Sequence, residues 1–210
     1  MNRRGFLQGF GAVMLWSGLP PLAKSVWAAA EGLAFGPAAP FSFDTLQQQA
    51  RALASRPFQA RPVKANATLE SIDFDTHQKL RYRKEKALWG DASHPHGVQF
   101  FHLHRWVRQG VKIHVLDGAN AREMVYRPDY FSYGDTGLDK ILPKDLGFAG
   151  FRVLDKGKEG PDWLAFQGAS YFRTSGPLDQ YGLSARGVAI NTALPEPEEF
   201  PLFTQFWLDQ

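Results

Sequence analysis

Residues 163–192 are the most informative stretch of the sequence. They read WLAFQGASYFRTSG from Trp163 to Gly176, PLDQ over 177–180, and YGLSARGVAINT from Tyr181 to Thr192. Short runs of strand-forming residues alternate here with glycines that favour turns. In a strand, alternation puts Tyr171 and Arg173 on one face. Ser170 and Phe172 then occupy the opposite face. One polar, aromatic face and one apolar face are typical of a strand that lines a cleft, and the alternative is a sandwich core with ordinary turns.

Several side chains of this stretch have the chemistry that binds carbohydrates. Aromatic faces stack on sugar rings, while hydroxyl and guanidinium groups form hydrogen bonds with sugar hydroxyls. The candidate carbohydrate-binding residues are Tyr171, Arg173, Tyr181, Ser184 and Arg186. An alternative for Arg186 is a structural role in which it braces a loop.

Six sequence blocks occur in order between Phe41 and the last residue. They are Phe100–Leu103, Phe131–Gly134, Gly147–Arg152, Gly168–Arg173, Tyr181–Gly187 and Glu198–Phe203. In content and spacing this series resembles the periplasmic glucan biosynthesis family, the MdoG/OpgG and MdoD/OpgD proteins. Two positions depart from the family pattern: His104 stands where we expect Gly, and Asn191 stands where Asp is more usual.

The resemblance implies a mainly β fold, a large antiparallel β-sandwich of the galactose-mutarotase-like type. Residues 41–210 correspond to its N-terminal part, about the first two-fifths of a typical member, so we expect the sandwich to be incomplete here. The resemblance also implies a role in osmoregulated periplasmic glucan biosynthesis, controlling or processing the β-1,2-linked glucose backbone. The partner is then a β-glucan polysaccharide or oligosaccharide, with no cofactor. An alternative is a carbohydrate-binding module without catalysis.

Glycoside hydrolysis usually needs two carboxyl groups. The acids near the blocks are Asp162, Asp179, Glu198 and Glu199. The two aspartates neighbour turn residues, and adjacent glutamates in a strand face opposite ways. We therefore assign no catalytic residue, and we expect the acids for the β-1,2-glucanase activity of some family members to lie beyond residue 210.

Residues 1–30 are predicted to be a twin-arginine signal peptide. Arg3, Arg4 and Phe6 fit the export motif, and the apolar run that follows is too short for a transmembrane helix. Small residues at 28–30 suit a peptidase, so we expect a periplasmic protein without a stable membrane anchor. The motif favours the MdoD/OpgD branch and makes the twin-arginine translocase a partner during export.

Charge and cysteine content exclude other classes. The leader holds three of the 24 basic residues and none of the 21 acidic ones, so the remaining chain is balanced. Bulk charge gives no reason to expect nucleic-acid binding. The absence of cysteine excludes disulfides, thiolate metal ligands and a cysteine nucleophile.

Local patterns predict one short N-terminal helix and then strands. Residues 31–40, with Gly and Pro, are predicted as a flexible lead-in; Ser42 is the predicted helix N-cap, and Pro57 ends the helix. The predicted apolar face of the helix is Phe43, Leu46, Ala50 and Leu53. The predicted strands are Lys79–Lys86, Val98–His104, Val111–Val115, Ala121–Tyr126, Phe148–Leu154, Trp163–Phe166, Ser170–Arg173 and Gly187–Thr192, with a turn at Asp117-Gly118. An incomplete sheet leaves unpaired edges, which favour self-association.

Two His-x-His pairs, at His94/His96 and His102/His104, suggest a different class of protein. On a strand such a pair points both imidazoles the same way, as in a metal-dependent cupin-like sandwich enzyme. Residues 105–109 supply no Glu after the second pair, and His94-Pro-His96 is typical of a loop. We therefore keep the metal enzyme as an alternative and assign no metal ligand.

Replacement of both Arg3 and Arg4 by Lys is expected to leave the precursor in the cytoplasm, because the paired arginines form the export motif. Fractionation followed by immunoblotting measures this. Undiminished periplasmic accumulation of the double variant would contradict the prediction.

Overall fold

The computed structural model describes residues 32–176, 178 and 180–209, including their side chains except that of Tyr181. This part of the chain is mainly β, with three α-helices. The helices are α1 (Phe43–Ala54), α2 (Asn66–Ser71) and α3 (Phe74–Lys79). The strands are β1 (Phe35–Pro40), β2 (Arg81–Tyr82), β3 (Val98–Phe101), β4 (Lys112–Asp117), β5 (Asn120–Met124), β6 (Phe131–Ser132), β7 (Gly150–Leu154), β8 (Asp162–Gln167), β9 (Tyr171–Ser175), β10 (Tyr181–Arg186) and β11 (Gln205–Leu208).

The strands form three sheets. A four-stranded sheet has the order β1-β5-β4-β11, a five-stranded sheet has the order β10-β9-β8-β7-β3, and β2 pairs with β6. All pairings between these strands are antiparallel except that of β11 with β4, which is parallel. Asp117 and Asn120 pair across the turn that joins β4 to β5, as the Asp117-Gly118 signal predicts.

The two larger sheets pack face to face through apolar side chains. On β4, Ile113 and Val115 are buried, and Ile113 pairs with Phe206 of β11. The ring of Phe206 contacts Phe151 of β7 at 5.2 Å and Phe166 of β8 at 6.0 Å, between ring centroids. These contacts join both sheets in one apolar core, which confirms the predicted mainly β sandwich.

Helix α1 begins where the sequence predicts. The Ser42 hydroxyl accepts a hydrogen bond from the Thr45 amide at 3.1 Å and caps the helix. Its predicted apolar face is not buried, because Phe43 is 66% exposed and Leu53 is 62% exposed. Capping and local periodicity therefore specify this helix without tertiary burial.

Residues 35–40, predicted as part of a flexible lead-in, instead form strand β1. The pairing of Ala39 with Ala121 and the hydrogen bond from the Phe41 amide to the Ala119 carbonyl tie this segment to β5. β1 ends the order of its sheet, and an edge strand tolerates proline. The prediction was wrong because pairing with a strand 80 residues later leaves no local signal.

Two strand predictions are corrected in position. Residues 79–86 contain the end of α3, the two-residue strand β2 and a 3₁₀ turn at Lys84–Lys86, rather than one charged edge strand. The last predicted strand, Gly187–Thr192, lies after the observed strand β10. Its Asn191 has φ of 55°, a left-handed conformation that Asn tolerates better than most residues.

No helix in the described ranges is both long and apolar enough to span a bilayer.

Strand β10 and the segment after it expose apolar side chains, and we expect the purified chain to self-associate through them. They are Leu183, Val188, Ile190, Leu194, Phe200 and Leu202. β10 ends the order of its sheet, so its outer backbone groups are a template for pairing. Leu183→Asp, at a site 76% exposed, is expected to lower the weight-average mass in analytical ultracentrifugation.

The matched control is Ile141→Asp, at a site 63% exposed outside this surface, which is expected to leave association unchanged. A monodisperse wild-type monomer with a sharp cooperative melt would contradict the prediction.

Candidate functional site

The register of the five-stranded sheet collects polar side chains on one face. Arg152 of β7 pairs with Ala165 of β8, which pairs with Arg173 of β9. In the next row, Gln167 of β8 pairs with Tyr171 of β9. Directly opposed residues in antiparallel strands share a face, so these residues form one surface, named here the polar face.

The opposite face of the same strands is apolar. Phe151 pairs with Phe166, and Phe166 pairs with Phe172. Their rings are 5.4 and 5.8 Å apart between centroids. This face points to the core, so the polar face points away from it.

A cavity of about 540 Å³, named here the polar-face cavity, lies over the polar face. Helix α3 and strand β2 supply its other wall. It is lined by His77, Gln78, Leu80, Arg81, Tyr82, Phe100, Phe101, His102, Arg152, Ala165, Gln167, Tyr171 and Arg173. Three arginines, two glutamines, two histidines and four aromatic residues thus line it, and none of these lining residues is a carboxylate.

Other side chains fix the orientation of two guanidinium groups in the polar-face cavity. The Gln99 side-chain oxygen accepts hydrogen bonds from Arg152 Nε at 3.1 Å and Arg152 Nη2 at 2.5 Å, while its amide nitrogen donates to the Lys158 carbonyl at 2.9 Å. Arg173 Nη2 forms an ion pair with Asp162 at 2.8 Å. Arg152 and Arg173 are therefore oriented before any ligand binds, which lowers the entropy cost of binding.

The predicted binding residues separate into three groups. Tyr171 and Arg173 line the cavity. The Ser184 hydroxyl is 3.0 Å from the Tyr171 hydroxyl but does not line the cavity. Arg186 donates a hydrogen bond to the Ala169 carbonyl, and its guanidinium lies 4.1 Å from the Phe200 ring centroid, the bracing position of the alternative hypothesis. The Tyr181 side chain and the export residues Arg3, Arg4 and Phe6 lie outside the described residues.

Sequence reasoning missed most of the cavity lining. The sequence does hold a signal for Arg152, because an arginine within the otherwise apolar strand Gly150–Leu154 indicates a polar role. Gln167 also had one, because it alternates with Ala165 on β8. His77 and Arg81 had none, because only the tertiary fold brings the segment around α3 over the sheet.

Three histidines cluster beside the cavity. The rings of His77 and His104 are 4.2 Å apart between centroids, and His102 Nδ1 lies 2.7 Å from the Leu103 carbonyl oxygen. Burial lowers the pKa of His102 to about 4, and burial with repulsion from His77 and His102 lowers the pKa of His104 to about 4. Burial also lowers the pKa of His77. All three are neutral near pH 7.

The described residues do not support the alternative metal centre. No group of three or more His, Asp or Glu side chains within them is arranged to hold a metal ion. His102 and His104 follow the end of β3 at Phe101, so they do not form the strand pair that a cupin-like site requires. His94 instead packs its ring on Trp89 at 6.1 Å.

The fold and this face define a mainly β sandwich protein with a polar, arginine-lined cleft on one sheet. The chain belongs to the family described as "Periplasmic glucan biosynthesis protein, MdoG", whose sequence profile matches residues 41–210. This confirms the resemblance carried by the six sequence blocks.

The chain is similar to proteins named "Glucans biosynthesis protein D". The protein of that name from Xanthomonas campestris pv. campestris (strain B100) is 43% identical over 213 residues, and that from Xylella fastidiosa (strain M12) is 41% identical over 214 residues. Each match covers 100% of this chain and 40% of the relative. The chain thus spans about two-fifths of the length of these relatives.

The free energy of unfolding is expected to fall as the pH decreases from 6.5 toward 4. In this window the unfolded chain protonates His102 and His104, whereas the folded chain keeps both neutral. Each histidine contributes up to about 3 kcal/mol of this loss. His104→Phe retains a ring against His77 and removes one titrating group, so the variant is expected to lose less stability in the window.

Urea unfolding at several pH values measures this effect. Above about pH 7.5, where the histidines of the unfolded chain are neutral as well, the difference between variant and wild type should be constant, which serves as the internal control. Equal slopes for the two proteins between pH 6.5 and 4 would contradict the prediction.

Proposed function

We propose that this chain binds the β-1,2-linked glucose backbone in the polar-face cavity and takes part in periplasmic glucan biosynthesis. The observation that carries the proposal is the joint placement of Tyr171 and Arg173 with Arg152 and Gln167 around one cavity. Membership of the family and the names of its relatives support the biosynthetic role. The leader motif in residues 1–30 and the family description support a periplasmic location.

The cavity chemistry fits a neutral sugar. Guanidinium and amide groups supply an excess of hydrogen-bond donors, which suit the oxygens of hydroxyl groups. Tyr171 offers a flat aromatic face and a hydroxyl beside Arg173. Because Gln99 holds Arg152 and Asp162 holds Arg173, these donors keep a fixed spacing that favours one orientation of the chain.

The same chemistry favours binding over hydrolysis by this chain. A pair of carboxyl groups facing the substrate is the usual requirement, and the cavity lining contains none. Asp162, the acid that contacts the cavity residue Arg173, is occupied by this ion pair. We therefore propose a carbohydrate-binding role for these residues, with any cleavage of the glucan depending on residues outside them.

Tyr171→Ala is expected to weaken binding of a β-1,2-linked glucose oligosaccharide roughly five- to hundredfold, because stacking and a hydroxyl contact are both lost. Calorimetry measures the affinity. The matched control is Thr174→Ala, on the same strand but on its opposite face, which is expected to leave the affinity unchanged.

Equal affinities for Tyr171→Ala and wild type would reject the polar face as the binding site.

Product analysis after incubation with the glucan is expected to show no released fragments. Released oligosaccharides that disappear in Glu199→Gln would show that a carboxylate of this chain is catalytic.

A further inference from the structure

Trp106 lies at the tip of a two-residue turn that is closed by backbone hydrogen bonds. The His104 amide donates to the Val107 carbonyl at 3.1 Å, and the Val107 amide donates to the His104 carbonyl at 3.0 Å. These paired hydrogen bonds fix the backbone on both sides of Arg105 and Trp106. The Trp106 side chain is nevertheless 62% exposed, with the Arg105 guanidinium 5.6 Å from its ring centroid.

Beside Trp106 lies a second cavity of about 210 Å³, named here the Trp106 cavity. It is lined by Arg61, Val63, Trp106, Val107, Arg108, Gln109, Gly168, Ala169, Leu202 and Phe203. An aromatic face, two guanidinium groups and a side-chain amide thus surround one recess. Aromatic, guanidinium and side-chain amide groups also line the polar-face cavity.

The polar side chains around the Trp106 cavity form hydrogen bonds or ion pairs within the protein. Gln109 Nε2 donates to the Arg61 carbonyl at 3.2 Å, and Arg61 Nη1 donates to the Gly110 carbonyl at 3.3 Å. Arg108 forms an ion pair with Glu70 at 3.2 Å. This carboxylate offsets the charge of Arg108, and the remaining N–H groups of Arg61, Arg108 and Gln109 can donate to hydroxyl oxygens.

Two separate connections join this cavity to the polar-face cavity. Gln167 lines the polar-face cavity, and Gly168, the next residue, lines the Trp106 cavity. His104 contacts His77, which lines the polar-face cavity, at 4.2 Å, and contacts Trp106 at 5.5 Å, between ring centroids. The two cavities are therefore linked by adjacent residues at the β8–β9 turn and by the ring of His104.

We propose that Trp106 forms a second saccharide subsite that binds further glucose units of the same glucan chain. The indole face stacks on a sugar ring, while Arg61, Arg108 and Gln109 donate to its hydroxyl groups. This inference rests on the proposed binding of the glucan in the polar-face cavity. It adds that recognition extends along the chain, so affinity depends on the length of the ligand.

The test compares a β-1,2-linked glucose disaccharide with a longer β-1,2-linked oligosaccharide by calorimetry on the full chain. Trp106→Ala is expected to weaken binding of the longer ligand roughly tenfold and to leave disaccharide binding unchanged. Trp106→Phe retains an aromatic face and is expected to keep most of the affinity. Phe43→Ala, at a side chain of similar exposure on α1, is the matched control and should change neither affinity.

Tyr171→Ala, measured with both ligands, distinguishes the two proposals. If this variant weakens both ligands while Trp106→Ala changes neither, the second subsite is overturned and the polar-face site stands. An equal loss for both ligands in Trp106→Ala would also overturn the subsite, because it would show an effect independent of chain length. Wild-type protein that binds neither ligand would overturn both proposals.

Discussion

The antiparallel register of β7, β8 and β9 determines which of their side chains face the core and which face away from it. It aligns Arg152, Ala165 and Arg173 on one face and Phe151, Phe166 and Phe172 on the other. A slip of one residue would exchange these two sets. Guanidinium groups would then enter the core and phenyl rings would face solvent, so the core and the candidate site are specified by the same pairing.

The two faces reinforce this register in different ways. On the inner face, Phe206 of the four-stranded sheet packs against Phe151 and Phe166, so burial of aromatic surface favours one arrangement. On the polar face, buried Gln99 has partners for both its oxygen and its nitrogen. A slip would break these hydrogen bonds as well as the ring contacts, and unpaired buried polar groups destabilise a fold.

Those features that depend on neighbouring residues were predictable from the sequence. The cap at Ser42, the turn at Asp117-Gly118 and the shared face of Tyr171 and Arg173 each follow from short spacings. Features that depend on distant partners were not. Strand β1 forms because β5 offers it hydrogen bonds, and Arg152 belongs to the site because β7 pairs with β8.

The six sequence blocks show the same limit. Arg186 lies within a block, yet the loop around Ala169 and Phe200 occupies its guanidinium. Trp106 lies outside every block, yet a two-residue turn places it beside Gly168 of a central block. Block membership therefore identified the family, whereas the distribution of hydrogen-bond partners identifies which side chains are available to a ligand.

We propose that the outward face of the five-stranded sheet, organised by the register of β7–β9, is the glucan-binding surface. A crystal structure of the chain with a bound β-1,2-linked glucose oligosaccharide would show the binding surface itself. Sugar density is expected against Arg152, Gln167 and Tyr171. Ordered sugar bound elsewhere, with these side chains facing only solvent, would contradict it.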